Sequence, residues 1–245
     1  MSDKTKRYAV YFMPLITDDL WSKGCAWLGR DCEENFLVVQ PKVPGLDAES
    51  IMQITQKPTH YGLHATLKPP FYLQQGCTEV ELRNAFVEFA SRHQAFECGQ
   101  LVVGQLQQFL ALTLVQVSTK LNQLAAECVQ SFDAFRKLPS EQELALRRAA
   151  GLNEIQLTLL EKWGYPYVMD QFRFHITLTD TINNQQKTIL KPFLDSYFKA
   201  ALIKPLSIKQ ITLAVQNDRN SPFVVLQRYD LSGWDRRKND PKQES

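Results

Sequence analysis

Two segments in opposite halves of the chain carry the same pair of side chains, a histidine followed two positions later by a threonine. They are His64-Ala65-Thr66 and His175-Ile176-Thr177. Imidazole titrates near neutral pH, so one histidine of a pair can accept a proton while the other donates one. A hydroxyl group nearby can donate a hydrogen bond to an oxygen that gains negative charge. Together these groups suit the cleavage of a phosphodiester.

The second motif lies in a segment predicted as a strand over residues 171–179. Side chains alternate between the two faces of a strand, so Arg173, His175, Thr177 and Thr179 share one face. The other face is apolar and predicts contact with a core: Phe172, Phe174, Ile176 and Leu178. A row of polar and charged groups is costly to bury without partners. We therefore expect this row to line a cleft, although Thr179 could lie beyond it.

The first motif repeats this design in a strand predicted for residues 63–72 and broken at Pro69-Pro70. Alternation places His64, Thr66 and Lys68 on one face. Lys68 and Arg173 are then predicted to bind substrate as supporting cations, Arg173 with bidentate geometry. The scheme requires no metal and no cofactor.

Aromatic residues precede both motif strands. Tyr61 is predicted to contact substrate, since it comes three residues before His64. Tyr167 is predicted to line the cleft, because its segment leads directly into the second motif strand. A metal site at His60 and His64 is not expected, since Gly62 and the predicted strand deny them a common helical face.

A cluster of basic residues leaves two interpretations open. Arg147 and Arg148, with Arg136 and Lys137, form either an ordinary solvated helix face or a clamp for a second phosphate on the substrate. His93 has a simpler interpretation. It ends a predicted helix, where a cation interacts favourably with the helix dipole, so we assign it a structural role.

Hydrophobic periodicity predicts an α+β fold with antiparallel sheets. Helices are predicted for 17–28, 79–93 behind a Thr78 cap, 118–135, 139–163 with a break at 151–153, and 185–201. Strands are predicted for 8–13, 63–72, a pair within 100–117, 171–179, 206–215 and 223–229. Residues 41–62 are predicted as loop with one helical turn at 48–54. The whole is predicted as one bilobal domain over 1–234, with lobes at about 1–117 and 164–234, a helical insertion at about 118–163, and a disordered tail at 235–245.

Composition narrows the class of partner and the compartment. The net charge of +2 and pI of about 8.2 do not suggest binding to a long nucleic acid. Five scattered cysteines without a C-x-x-C pattern favour a reducing cytoplasm. No apolar run approaches the roughly 20 residues that a membrane span requires, and no signal peptide is evident. We expect a cytoplasmic protein with a small phosphorylated substrate.

The motifs and their flanks resemble the two-histidine (2H) phosphoesterase superfamily, in particular a bacterial branch associated with phosphonate metabolism. The similarity runs over about residues 7–232 and is carried by these segments: Tyr61 to Phe71, Phe109 to Leu112, Phe132 to Arg136, Trp163 to Tyr167, and Phe172 to His175. The resemblance implies a bilobal, pseudo-two-fold fold in which two antiparallel sheets face a central cleft with helices outside. It also implies metal-independent hydrolysis of a cyclic phosphodiester.

The association with phosphonate genes suggests 5-phosphoribosyl 1,2-cyclic phosphate as a substrate. Two other functions remain open from the sequence: processing of 2′,3′-cyclic phosphates at RNA ends, and non-catalytic binding of a phosphorylated metabolite. The sequence leaves open which histidine is the base, which ester bond breaks and what the oligomeric state is.

Overall fold

The computed structural model describes residues 6–148 and 151–233, and over these residues it has the predicted α+β architecture. The helices are α1 (Asp19–Leu28), α2 (Ala48–Tyr61), α3 (Glu79–Arg92), α4 (Thr119–Ser131), α5 (Glu141–Arg148), α6 (Glu154–Trp163) and α7 (Asn184–Phe198). The strands are β1 (Arg7–Phe12), β2 (Arg30–Asp31), β3 (Phe36–Leu37), β4 (Ala65–Tyr72), β5 (Phe96–Gly99), β6 (Leu101–Leu106), β7 (Phe109–Leu114), β8 (His175–Thr177), β9 (Leu206–Ile208), β10 (Gln210–Gln216) and β11 (Val224–Asp230).

Two antiparallel sheets carry the two motifs. The first has the strand order β11-β10-β1-β4 and the second has the order β6-β7-β8. The motif strands β4 and β8 are therefore edge strands of different sheets, and they contact each other. Each sheet takes strands from both halves of the chain, since β10 and β11 join β1, and β8 joins β7. The two lobes predicted from the motifs therefore both contribute strands to each of these sheets.

The first motif strand passes through Pro69 and Pro70 without ending there. It continues to Tyr72, whereas the sequence predicted a break at the prolines. Proline lacks an N–H group and is tolerated where one side of a strand has no partner, which is the position of β4 at the sheet edge. The pairing with β1 also shifts its register beside the prolines, between the partners of Tyr8 and Val10.

Helix α2 is longer than the single turn predicted for this region, and it contains Pro58. A proline inside a helix leaves the carbonyl four residues earlier without its usual donor. Here that carbonyl, on Ile54, accepts a hydrogen bond from the backbone N–H of Asp180. Asp47 caps the start of the helix by accepting from the Ser50 N–H. A contact with a distant segment therefore sustains a helix that local sequence argues against.

The second motif strand is shorter than predicted, because β8 pairs with β7 over only three residues. A single 3-10 turn over Met169–Gln171 precedes it. The strand predicted for 206–215 is divided into β9 and β10, which lie in different sheets. The remaining predicted elements are present with small shifts at their ends, and helix α3 begins with a Thr78–Glu81 capping box. The predicted tail at 235–245 lies outside the described residues.

Helices α3 and α4 pack on the face of the first sheet that lies away from the motif side chains. Helix α4 belongs to the segment predicted as an insertion, yet its apolar side packs against β4 and is buried. Its buried residues are Leu121, Leu124, Ala125, Cys128 and Val129. Over the described residues, no helix combines the length and the apolar character that crossing a membrane requires.

Candidate active site

Both motif histidines are held in the same way by their own chain. The Nδ1 atom of His64 lies 2.9 Å from the Gly62 carbonyl oxygen, and that of His175 lies 2.8 Å from the Arg173 carbonyl oxygen. A carbonyl only accepts hydrogen bonds, so each Nδ1 carries a proton and donates it. In the neutral ring the Nε2 atom then has a free lone pair. Both imidazoles are thereby fixed in the tautomer that a proton acceptor at Nε2 requires.

Gly62 orients His64 through its backbone. It ends helix α2 with a φ of 78°, in the region that side chains other than glycine rarely adopt. A Cβ atom built on Gly62 would also lie 2.5 Å from Sγ of Cys32. The turn that presents the Gly62 carbonyl to His64 therefore requires glycine for two independent reasons.

His64 is enclosed by Tyr11, Tyr61 and Thr66. The ring centroids of Tyr11 and His64 are 3.9 Å apart, and Oγ1 of Thr66 lies 3.2 Å from Nε2 of His64. Burial lowers the pKa of His64 to about 4; the hydrogen bond to Gly62 opposes this, and the charge of His175 lowers the pKa further. His64 is therefore neutral at pH 7, and it is close enough to His175 to sense its charge.

The second motif has a more open setting. His175 lies opposite Thr113 and Thr177 opposite Ala111 in the antiparallel pairing with β7. The ring of Phe109 lies 6.0 Å from that of His175. Partners in an antiparallel pair share a face, so these side chains form the surface around the second histidine. The structure thus brings His64, Thr66, His175 and Thr177 to adjoining edges of two sheets.

The predicted aromatic contacts have different outcomes. The ring of Tyr61 lies 6.0 Å from that of His64 and stacks on Phe223 with ring centroids 5.4 Å apart, so it borders the site. Tyr167 is half-exposed, and its described ring contact is with Tyr165 at 5.6 Å. The structure places Tyr61 beside His64 and gives no described contact of Tyr167 with either motif histidine.

The two remaining polar residues predicted on the face of the second motif differ in exposure. Arg173 is exposed directly before β8 and has no ion pair among the described residues, so its guanidinium remains available to an anion. Thr179 is buried and its hydroxyl accepts a hydrogen bond from the Leu110 N–H, so it does not line the cleft. Arg173 as a substrate-binding residue stays a prediction.

Lys68 does not lie on the catalytic face, and its prediction as a substrate-binding cation is wrong. Thr66 pairs with Tyr11 but Lys68 pairs with Val10, because β4 carries an irregularity between them. Adjacent residues of β1 point to opposite faces, so their partners do too. Lys68 is 1% exposed, and its Nζ donates to the Val129 carbonyl and, at 3.0 Å, to the carboxylate of Asp133.

Lys68→Met is therefore expected to reduce stability and leave substrate binding unchanged. Lys68→Met removes two buried hydrogen bonds from a charged donor, while Asp133 keeps its pair with Arg136, so a loss of about 2 to 3 kcal/mol is expected. Urea unfolding measures the loss, and Lys57→Met is the matched control. Lys57 forms an exposed pair with Asp180, for which about 1 kcal/mol or less is expected. A raised KM with unchanged stability would contradict this placement.

The basic cluster of the sequence divides between two places. Arg148 is paired with Glu141 and Glu161 on an exposed helix surface, which fits a solvated face. The side chain of Arg147 lies outside the described part of the structure. Arg136 and Lys137 lie elsewhere, beside the end of β4.

The other two histidines have structural partners. Nδ1 of His93 donates to the Phe89 carbonyl, and its Nε2 pairs with Glu127 at 2.6 Å. His60 lies in helix α2, and its Nε2 is 2.8 Å from the side-chain nitrogen of Gln216. Among the described residues, no group of three histidine, cysteine or acidic side chains is arranged to hold a metal ion.

Sequence reasoning missed Tyr11, Phe223 and Phe109 as neighbours of the histidines. All three sit in apolar strand-like segments, where their types indicate core packing. Tyr11 is fully buried, and its hydroxyl has no hydrogen-bond partner among the described residues. No local signal distinguishes these residues from the other aromatic residues of the core.

Comparison with known proteins identifies one matching family and two similar curated proteins. A family model described as "Protein of unknown function (DUF1045)" matches residues 66–224. A Janthinobacterium sp. (strain Marseille) protein called ribose 1,5-bisphosphate phosphokinase PhnN is 36% identical over 245 residues, which are 98% of this chain and 54% of that protein. A protein of the same name from Laribacter hongkongensis (strain HLHK9) is 30% identical over 218 residues, 89% of this chain and 50% of that protein.

The chain spans about half the length of the curated relatives it matches. The name of these relatives describes a kinase. This sequence has no Gly-Lys pair, and so it has no G-x-x-x-x-G-K-[ST] loop of the kind that binds the phosphates of ATP. The kinase activity is a property of those relatives and is not assigned to this chain.

Solved structures similar to this chain include proteins titled phosphoesterase and LigT. A structure titled phosphoesterase has a TM-score of 0.39 at 15% identity and covers 93% of this chain and 99% of its own. E. coli LigT in complex with 3′-AMP has a TM-score of 0.40 at 16% identity with the same coverage. A conserved Agrobacterium tumefaciens protein of unknown function has a TM-score of 0.44 at 12% identity and covers 92% of this chain and 87% of its own. TM-scores below 0.5 do not support a function, so the proposed function rests on the geometry of the site.

Proposed function

This chain belongs to the family described as protein of unknown function DUF1045, and from its site we propose that it is a cyclic phosphodiesterase. One observation carries the proposal. One imidazole directly before the edge strand β4 and one in the edge strand β8 of another sheet lie at adjoining sheet edges, and each donates from Nδ1 to a backbone carbonyl. Two Nε2 atoms with a hydroxyl two residues away then remain for chemistry. Hydrolysis of a phosphodiester needs this pair of proton-transfer groups.

His64 is the group suited to act as general base. It is neutral at pH 7 because burial lowers its pKa to about 4, and its Nε2 lone pair is free of the backbone. In the proposed reaction Nε2 accepts a proton from water as the water oxygen bonds to phosphorus. A low pKa makes a weaker base, but it keeps the acceptor unprotonated over the whole physiological range.

His175 then acts as general acid. Its Nδ1–H donates a hydrogen bond to the Arg173 carbonyl, so the protonated ring has a second proton on Nε2. This proton is transferred to the ester oxygen as the phosphorus–oxygen bond breaks. The cyclic diester becomes a monoester, and the two histidines exchange protonation states. The Thr177 hydroxyl donates to the non-bridging oxygens as charge develops on them. The Thr66 hydroxyl, which donates to Nε2 of His64 in the free protein, turns to do the same when Nε2 takes the proton from water. These steps use only groups of the chain and involve no metal or cofactor.

The substrate class is the finer part of the proposal. The name of the curated relatives refers to a ribose bisphosphate. The residues that flank the motifs resemble the bacterial branch of 2H phosphoesterases associated with phosphonate metabolism. Both support a cyclic phosphate on ribose, with 5-phosphoribosyl 1,2-cyclic phosphate as the candidate. Turnover of this compound and of a nucleoside 2′,3′-cyclic phosphate, compared at equal concentration, tests the choice. Faster turnover of the nucleotide would favour processing of RNA ends over hydrolysis of the ribose compound.

The pH dependence of kcat/KM tests the assignment of His64 as base. A base with the ordinary histidine pKa of 6.5 would be only about one tenth neutral at pH 5.5. His64 has its pKa lowered to about 4, so activity should be lost only as pH falls towards that value. We expect kcat/KM at pH 5.5 to fall no more than about twofold below its value at pH 7.

Circular dichroism at each pH controls for acid unfolding. A fall of about tenfold between pH 7.5 and 5.5, with the fold retained, would contradict the assignment of His64 as base.

A further inference from the structure

A basic pocket lies at the far end of the sheet that carries His64. It measures about 210 Å³, several times the roughly 30 Å³ of a water molecule. We call it the arginine pocket, and its basic lining residues are Arg7, Arg136, Lys137 and Arg219. The other lining residues are apolar, aromatic or glycine, and none of those described is acidic. A phosphate group fits both its size and its charge.

Arg136 is the buried member of this set. Its side chain is only 7% exposed; Nε donates to Asp133, Nη2 donates to Asp133 and to the Lys162 carbonyl, and Nη1 is buried without a hydrogen-bond partner among the described residues. Buried donors are nearly always satisfied, so an orphan requires an explanation. A Cβ atom built on Gly164, which also lines the pocket, would lie 2.8 Å from this Nη1. The unsatisfied donor thus lies next to Gly164, one of the residues that line the pocket.

One lining residue of the arginine pocket, Arg7, lies on the same face of β1 as Tyr11, the neighbour of His64. Arg7 and Tyr11 are four residues apart on this strand, so they share a face at a separation of roughly 13 Å. The guanidinium of Arg7 lies 5.4 Å from the ring centroid of Phe223, which stacks on Tyr61 beside His64. The long arginine side chain shortens the distance further. A small sugar between the two positions can therefore reach both.

Tyr72 connects the basic residues of the pocket. It is the cross-strand partner of Arg7, its hydroxyl accepts a hydrogen bond from Nε of Arg219, and its carbonyl accepts from the Lys137 N–H. Lys137 and Arg219 are exposed. The cations are thus held around one point by contacts from three separate segments of the chain. This convergence is the arrangement expected of an anion site.

We propose that the arginine pocket binds a phosphate monoester carried by the same substrate whose cyclic diester reacts between His64 and His175. This inference rests on the proposed function and narrows its substrate class to sugars with two phosphate groups. Such a group carries close to two negative charges at neutral pH, which the basic side chains match. A cyclic phosphate without a second phosphate would leave the pocket empty.

Binding of ribose 5-phosphate, measured by calorimetry, tests the pocket without requiring turnover. The test variant is Lys137→Ala combined with Arg219→Ala, since both side chains are exposed and their loss leaves the Asp133 pairs intact. The control is Arg148→Ala combined with Lys199→Ala, which removes the same two types of charge from another exposed surface. We expect the test variant to bind roughly tenfold more weakly or worse, and the control to bind as the wild type does.

The inference is overturned if both double variants bind ribose 5-phosphate alike, or if the wild type binds it no better than ribose. Turnover provides a second measure. Ribose 1,2-cyclic phosphate 5-phosphate should have a KM raised by the test variant, while the analogue without the 5-phosphate should not be affected. If neither cyclic ester turns over but binding follows the expected pattern, the proposed function fails and the phosphate site stands.

Discussion

Replacing His64 or His175 by alanine is expected to lower kcat for a cyclic phosphodiester by about 10² to 10⁴, the usual contribution of one proton-transfer group. His64→Ala removes the acceptor for the proton of the attacking water. His175→Ala leaves the departing oxygen without a donor. Steady-state turnover at saturating substrate measures both losses. The double variant should lose less than the product of the two factors, because the two groups act as a unit.

The fold should survive both substitutions, since each histidine lies at an edge strand and is only partly buried. Near-ultraviolet circular dichroism and the melting temperature check this directly. His93→Ala is the matched control, because His93 pairs with Glu127 outside the site. It should retain wild-type kcat. Activity close to that of the wild type in either site variant would remove that histidine from the mechanism.

Thr66→Val and Thr177→Val are expected to lower kcat by about 10² each, with a much smaller effect on KM. Valine keeps the shape of threonine but removes the hydroxyl. A hydrogen-bond donor aimed at developing negative charge acts mainly in the transition state, and loss of one such donor costs about 10² to 10³ in kcat. Measuring kcat and KM separately distinguishes this role from simple substrate binding.

Serine at either position restores the hydroxyl and should recover most of the rate. Thr188→Val controls for the substitution itself, because Thr188 is an exposed residue of α7 whose hydroxyl donates to the Asn184 carbonyl. Thr66 also contacts Nε2 of His64, so its loss could displace the ring. A serine variant as impaired as the valine variant would indicate packing and would contradict the hydroxyl's role.

The placement of the four motif residues could be predicted from sequence because it depends on local alternation. Strand alternation and the spacing of two residues place a histidine and its threonine on one face, and the structure keeps this arrangement at both motifs. The apolar residues opposite them, such as Ala65 and Ile176, are buried as the alternation predicts.

Errors occurred where distant segments decide the structure. Lys68 turns into the core because the register between β4 and β1 shifts, and only the partner strand reveals that shift. Helix α2 continues past Ile54 because the Asp180 N–H replaces a hydrogen bond that Pro58 removes. The arginine pocket assembles side chains from four places in the chain. None of these contacts leaves a signature in a local window of sequence.

The most direct test of the central claim is phosphorus NMR of the protein with ribose 1,2-cyclic phosphate 5-phosphate in the presence of EDTA. A parallel tube contains a nucleoside 2′,3′-cyclic phosphate, and matched tubes contain His64→Ala. The account predicts that the cyclic-ester signal of the ribose compound is lost while a monoester signal grows, and that His64→Ala abolishes this change. An unchanged cyclic-ester signal in every tube, or equal turnover by His64→Ala, would contradict it.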